Sequence, residues 1–308
     1  MSLRILCTGI AGMIGSEIAI QLAAQGHEIV GNDDLSHNCR EVKELPLAQM
    51  LTCKVEQLYW FDLQPIDLII HCASPVGHAR LTPEAEVAWN IVADTQAVLD
   101  LAEATGARLI TFSSSEVLTY KGETDIRAQY ALGKLTSESM VLGHPKVDGR
   151  VIRPYNVTGR HQRADGGFVM PRFRDAALAG EPLTVFGSGE QVRHFTHVSD
   201  FARFVLLLVE KWPLQKRWCV FNPMNKTSVN DLVWLFASGA KGRAEFNSLR
   251  MVVDGAEALG NPQWRDSSER PLDMREYRAC VELGWQPQVS LEEIVREHLT
   301  VAVEAKGA

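Results

Sequence analysis

Tyr130 and Lys134 stand four residues apart in Tyr130-Ala131-Leu132-Gly133-Lys134. On a helix, residues i and i+4 share a face, so a phenol and an ammonium in this spacing converge on one site. A lysine cation beside a tyrosine lowers the pKa of the phenol and prepares it as a general base. Its target would be an alcohol, provided that a hydride acceptor lies close to the same carbon. A cluster of hydroxyls and a carboxylate lies upstream, in Phe112-Ser113-Ser114-Ser115-Glu116-Val117. One of these hydroxyls is expected to hydrogen-bond the alcohol beside Tyr130.

The hydride acceptor is announced by Thr8-Gly9-Ile10-Ala11-Gly12-Met13-Ile14-Gly15, whose glycines are spaced G-x-x-G-x-x-G. One glycine permits a tight turn, the next lets the backbone approach a pyrophosphate, and the last lets a helix pack closely on a sheet. Helix N-terminal amides then hold the anion. Gly9, Ala11, Gly12, Met13, Ile14 and Gly15 are therefore expected to bind a dinucleotide. An acid follows about 20 residues on, in Gly31-Asn32-Asp33-Asp34. A carboxylate there accepts bonds from the adenosine ribose and repels a 2′-phosphate, so Asp33, with Asp34 beside it, points to NAD rather than NADP. In Trp60-Phe61-Asp62-Leu63, Asp62 either contacts adenine with Leu63 or caps a turn.

These groups need strand ends and helix starts to carry them. Strands are expected at 4–8, 28–33, 67–71, 108–113, 149–153 and 219–222. Helices are expected at 13–24, 83–105, 129–142 and 199–210, with further ones from 229 and 291. Strand–helix alternation predicts an α/β fold with a doubly wound, Rossmann-type parallel sheet, covered on both faces. Runs such as Leu68-Ile69-Ile70 are continuously apolar, as strands buried on both faces must be. After Pro154 the pattern loosens. The expectation is a dinucleotide domain of 1–156 plus about 194–222, and a smaller C-terminal substrate lobe of 157–193 and 223–308.

Length and composition agree. The chain has 308 residues and a formal charge of −7. The acidic balance excludes an extended nucleic-acid surface. Local charge runs the other way, with arginines at 153, 160, 163, 172, 174 and 193 where a diphosphate is expected to lie. Six cysteines without a C-x-x-C pair argue against a metal cage or disulfide scaffold and fit a reduced cytoplasm. His194 and His197 have no metal-ligand partner at helical spacing and read as structural. No signal peptide is visible and no apolar run is long enough for a membrane span.

Together these motifs resemble the extended short-chain dehydrogenase/reductases, in the NAD-dependent sugar-nucleotide epimerase/dehydratase/decarboxylase family. The resemblance takes in Gly9/Gly12/Gly15, Asp33, His71-Cys72-Ala73-Ser74, Asn90, the serine cluster and Tyr130/Lys134. It continues through Arg153-Pro154-Tyr155-Asn156-Val157-Thr158-Gly159, the segment 180–189, Arg193 to Asp200, and Arg270-Pro271. It implies that Ser114 assists Tyr130, with Ser115 and Glu116 completing the catalytic set. It implies that Cys72, Ala73, Ser74, Asn90, Tyr130, Lys134 and Tyr155 join the NAD site. It implies a nucleotide-sugar substrate, UDP-linked, held by Pro75, Ser114, Asn156, Arg172, Leu183, Val185, Phe186, Arg193 and Arg270. It also implies a homodimer through the helices 83–105 and 129–142.

Oxidation at C4 of such a sugar opens three routes. Return of hydride to the other face gives a 4-epimerase, loss of water a 4,6-dehydratase, and loss of a C6 carboxylate a decarboxylase. The family's dehydratases carry Asp-Glu where this chain has Ser115-Glu116, and a serine hydroxyl is a poor acid. Its UDP-glucuronate decarboxylases carry Thr-Ser-Glu, close to Ser114-Ser115-Glu116, and Ala-Ser-Pro, matched by Ala73-Ser74-Pro75. Their carboxylate-facing arginine is replaced by Glu269 here, and residues 159–166 look more like the epimerases' loop. Decarboxylation leads, a 4-epimerase follows, and a non-catalytic NAD sensor is the reading from a different class.

Overall fold

The fold is described from a computed structural model, for all residues except 1, 64, 78–85, 119, 122–125, 213–216, 222–225, 241–250, 255–273 and 308. The first half runs β1 (Arg4–Thr8), α1 (Met13–Ala24), β2 (Glu28–Asp33), β3 (Gln49–Thr52), β4 (Leu68–His71), α2 (Val87–Thr105), β5 (Arg108–Phe112), α3 (Ile126–Gly143) and β6 (Gly149–Pro154). Then come β7 (Asn156–Thr158), α4 (Val169–Ala179), β8 (Leu183–Phe186), β9 (Val192–His197), α5 (Val198–Glu210) and β10 (Trp218–Phe221). The last elements are β11 (Lys226–Ser228), α6 (Val229–Ala240), β12 (Met251–Asp254), α7 (Met274–Leu283) and α8 (Leu291–Gly307).

Seven parallel strands form the main sheet in the order β10-β6-β5-β4-β1-β2-β3. The order reverses beside β1, so a crevice opens over the carboxyl ends of β1 and β4, where doubly wound folds bind ligands. Alternate side chains of one strand serve opposite layers. Ile5 and Cys7 pack with Ile18, Leu22, Phe201 and Phe204 of α1 and α5. Leu6 packs with Val98, Leu99 and Val141 of α2 and α3. Each such aliphatic side chain, once buried, stabilises by roughly 1.5–3 kcal/mol.

Helix ends are closed by specific groups. Gly106, at φ 72°, takes the left-handed position after α2 that a side chain would strain. Arg217 caps α3, donating to the carbonyls of Leu142, Val141 and Val147 at 3.0, 3.0 and 3.2 Å.

The smaller lobe has its own core, in which Met170, Phe173, Leu183, Val185, Phe236 and Leu299 meet. β9 pairs with β7 and β11, and β8 with β12. The boundary expected at residue 193 therefore falls inside β9, while β10 returns to the main sheet. Asp200 fastens the lobe's last part to α5: its carboxylate accepts from the Gln288 and Val289 amides at 2.9 and 3.0 Å, and its carbonyl accepts from Trp285 at 2.9 Å.

The expected elements of the first half are present with small shifts. α3 begins three residues earlier than expected, and α2 is described from Val87, its expected start lying outside the described residues. The strands β3, β7, β8, β9, β11 and β12 and the helices α4 and α7 carried no expectation. All of these strands but the six-residue β9 have three or four residues, too few to show a period against their flanks.

Candidate active site

The loop between β1 and α1 is held open by its glycines. Gly9 has φ 65°, and a Cβ on it would lie 2.6 Å from the Ala73 nitrogen. A Cβ on Gly15 would lie 2.3 Å from the Gly9 carbonyl oxygen, so α1 touches the loop backbone directly. Gly12 is the N-cap of α1, and no side chain bonds the first-turn amides, among them those of Met13 and Ile14. Free first-turn amides behind a side-chain-free cradle suit an anionic pyrophosphate. Ala11 closes the loop against β2, its amide donating to Asp33 at 2.9 Å. Asp33 also accepts from the Leu35 amide at 2.8 Å. Burial pushes its carboxyl above the usual range against those two bonds. Burial acts on Asp34 too, but bonds from the Ser36 hydroxyl and amide carry it below the usual range. Leu63 is buried and Asp62 exposed after a tight helical turn at 55–60.

The end of β4 forms the opposite lip. Thr8 Oγ1 accepts from the Ala73 amide at 3.2 Å and lies 2.8 Å from His71 Nδ1. Burial, with the Lys134 charge, drives His71 down to about 3, so its ring is neutral. Thr8 Oγ1 and His71 Nδ1 thus share one hydrogen bond between neutral groups, and the pair fixes where Cys72, Ala73, Ser74 and Pro75 leave the strand. Sequence reasoning gave His71 no role. Its signal was a histidine at the end of an otherwise aliphatic strand.

The catalytic candidates hang from the end of β5. Ser114 hydrogen-bonds the Tyr130 phenol, and the Glu116 amide donates to Ser114 Oγ at 3.1 Å. Ser115 and Glu116 follow in a short helical turn, 115–118. Burial pushes Tyr130 up to about 12, with the Glu116 charge adding to the rise. Lys134 Nζ lies 5.8 Å from the Tyr130 ring centre and donates to the Phe112 carbonyl at 2.8 Å. Burial lowers Lys134 to about 8. The expected lowering of the tyrosine pKa, by the lysine together with an oxidised nicotinamide, is not reached by these residues alone, in which burial raises it. Val87 and Ile91 of α2 pack against Tyr130. Asn90 precedes Ile91 on the same helix.

The substrate-side candidates divide. Tyr155 stacks on His194, ring centres 5.0 Å apart, and Asn156 donates to the His194 carbonyl at 2.9 Å. Arg193 donates to the Val192 carbonyl at 2.9 Å in the neighbouring strand β9. Arg172 lies 4.3 Å over the Phe186 ring, a desolvated cation on an aromatic face. Leu183 and Val185 are fully buried in the lobe core, which corrects the expectation that they touch a base: on β8 only Thr184 and Phe186 turn outward. Arg270 lies outside the described residues.

The expected arginine cluster is also corrected at Arg153. Its guanidinium is clamped by Glu138, Nε to Oε1 at 2.6 Å and Nη2 to Oε2 at 2.5 Å, and the Glu138 side chain is only 5 % exposed. A forked pair of this kind is structural glue between α3 and β6. Arg163 pairs with Asp165, and Arg174 with Asp175. His197 caps α5 and meets Glu297 at 2.6 Å, a structural role. Among the described residues no cluster of histidine, cysteine and carboxylate side chains could hold a metal ion.

Comparison with known proteins matches this arrangement. A model of the NAD dependent epimerase/dehydratase family matches residues 5–218. The chain is 31 % identical to UDP-glucuronic acid decarboxylase 1 of Danio rerio over 94 % of its own length and 70 % of that protein's. It is 29 % identical to UDP-glucuronic acid decarboxylase 2 of Arabidopsis thaliana, over 94 % of its own length and 66 % of that protein's. The chain thus spans about two thirds of the length of these relatives. Its fold is that of the UDP-glucose 4-epimerase of Thermotoga maritima, with a TM-score of 0.81 and 24 % identity over 99 % of both chains.

Proposed function

The chain belongs to the NAD dependent epimerase/dehydratase family, and from that premise we propose that it decarboxylates a nucleotide-activated uronic acid, UDP-glucuronate, through transient oxidation at C4. The carrying observation is the pairing of a Ser114–Tyr130 hydrogen bond with Glu116 two residues on, at a strand end where Ser115 offers no acid for dehydration. The relatives named as UDP-glucuronic acid decarboxylases support the same reading.

NAD, when bound, would supply the acceptor for the C4 hydride and the source of its return, and its positive ring charge would favour ionisation of the buried phenol. The open amides at the start of α1 and the Asp33 carboxylate are the groups that fit its pyrophosphate and ribose. Tyr130 takes the proton of the C4 hydroxyl while Ser114 holds that oxygen. Lys134, anchored on Phe112, keeps a cation beneath the site. The ketone so formed stands β to the C6 carboxylate. The C5–C6 bond then breaks, carbon dioxide leaves with C6, and the electron pair moves onto the C4 oxygen as an enolate. A proton returns to C5, with Glu116 the carboxylate placed to manage it. Arg193 and Asn156 hold the diphosphate, with Arg172 and Phe186 at the nucleotide end.

Incubation with NAD and UDP-glucuronate tests this. Carbon dioxide and a UDP-pentose are expected. A UDP-uronate of unchanged mass and altered sugar NMR spectrum would instead establish the 4-epimerase, the reading favoured by Glu269 standing in place of an arginine.

We further place the protein in the cytoplasm as a homodimer. All six cysteines are free, which suits a reducing compartment, and among the described residues no helix is long and apolar enough to cross a membrane. Trp89 on α2 is 69 % exposed beside a groove of about 470 Å³ lined by Tyr59, Val92, Ala93 and Gln96. An apolar helix face of this kind is suited to a second copy. Sedimentation of wild type against Trp89→Glu checks it, with the variant expected at half the mass.

A further inference from the structure

Asp94 lies on α2, one turn after Asn90, and no step above uses it. Two contacts fix its neighbourhood. Thr95 Oγ1 and Ser137 Oγ lie 2.7 Å apart across the α2–α3 seam. A Cβ on Gly133 would lie 2.9 Å from Ala88 Cα, so the two backbones nearly touch there. Ile91 of α2 packs against Tyr130 of α3. Asp94 lies three residues after Ile91 and Lys134 four after Tyr130, spacings that keep each on the seam face of its helix, so the carboxyl and the ammonium are delivered to the same seam.

Both groups are short of partners. Asp94 is half-buried, yet among the described residues it accepts no hydrogen bond and makes no ion pair. Lys134 is buried and has three N–H groups, of which one is placed, on Phe112. An ammonium taken out of water needs a compensating negative charge. Glu138 on α3 is near enough to act on Lys134, but Arg153 neutralises it with two hydrogen bonds. Cys72 at the end of β4 acts on Lys134 too, but its thiol is held neutral by burial. Asp94 is the remaining carboxylate. It is faced by Lys134, by Glu56 and Lys54 from the segment after β3, and by Asp34 from the end of β2.

We propose that Asp94 is a positioning residue for the catalytic site, holding the Lys134 ammonium charged from across the α2–α3 seam. Burial, with Glu56 adding to it, raises the Asp94 carboxyl to about 6, while burial lowers Lys134 to about 8. The order of the two values leaves both groups ionised between them, which is the state the pairing needs. The inference rests on reading Lys134 as the partner of Tyr130.

The test is the titration of Lys134, read by competitive acylation of the whole protein with acetic anhydride and mass spectrometry across pH. In Asp94→Asn the midpoint is expected to fall, so that labelling of Lys134 at neutral pH rises about tenfold. Asp94→Glu should restore the wild-type midpoint, and NAD affinity measured by calorimetry should begin to weaken at lower pH in Asp94→Asn. An unchanged midpoint would overturn the proposal. Should Asp94→Asn not fold, Lys134→Met provides the reciprocal measurement: the Asp94 carboxyl carbon must titrate at higher pH in that variant, and no movement sinks the idea equally. None of these readouts needs turnover. A moved midpoint without carbon dioxide release would count against the proposed reaction and leave the Asp94–Lys134 pairing standing.

Discussion

The Lys134 ammonium donates to the Phe112 carbonyl at 2.8 Å, while Tyr130, one turn earlier on the same helix, bonds Ser114. Both members of the Y-x-x-x-K pair are thus anchored to one strand end, two residues apart. The geometry of the site is set by β5 as much as by α3.

Removing the phenol should separate chemistry from binding. Tyr130→Phe keeps the ring that packs against Ile91 but loses the hydroxyl bonded to Ser114. Turnover is expected to fall by about 10²–10⁴-fold. NAD affinity by calorimetry and the melting temperature should stay near wild type.

Much of this site was legible in the sequence because its signals are local. Gly9, Gly12 and Gly15 read the strand-to-helix turn, and Tyr130 and Lys134 read one helix face. What stayed hidden depends on partners far along the chain. Arg153 reads as a phosphate ligand until Glu138, 15 residues away in sequence, is seen to clamp it. Leu183 and Val185 were misplaced for a different reason: the alternation along Leu183-Thr184-Val185-Phe186 was present, but the segment had not been read as a strand.

The pH dependence follows from Lys134, which burial lowers from its ordinary 10.5 to about 8. The charged form serves the site, so kcat/KM should fall as pH rises through about 8. Stability runs the opposite way. Between about 8 and 10.5 the unfolded chain binds the proton that the folded one has released. The contribution of Lys134 to stability therefore increases with pH across that window. Urea denaturation of wild type and Lys134→Met at several pH values checks the sign, and the difference should be lost in the variant.

Gly15 is where the cofactor loop has no spare room. Gly15→Ala places a methyl 2.3 Å from the Gly9 carbonyl oxygen, a backbone atom that cannot swing aside. α1 must shift, at a cost of about 1–3 kcal/mol. NAD affinity, read by quenching of tryptophan fluorescence, should fall more than tenfold, with a lowered melting temperature.

Glu138→Gln tests the assignment of Arg153 as structural. A buried forked pair is broken, and roughly 3–5 kcal/mol of stability should be lost. A diphosphate-binding Arg153 would instead show a raised KM for the nucleotide sugar with stability intact. Arg193→Ala is the contrasting variant, expected to raise KM with little change in melting temperature.

The most direct measurement follows the carboxylate itself. UDP-glucuronate carrying carbon-13 at C6 is incubated with the protein and NAD, and gas and nucleotide sugar are both analysed. The label should leave as carbon dioxide, the remaining UDP-sugar being an unlabelled pentose, and Tyr130→Phe should abolish the release. Label retained in a UDP-hexuronate, whether epimerised or unchanged, would contradict decarboxylation as the reaction of this site.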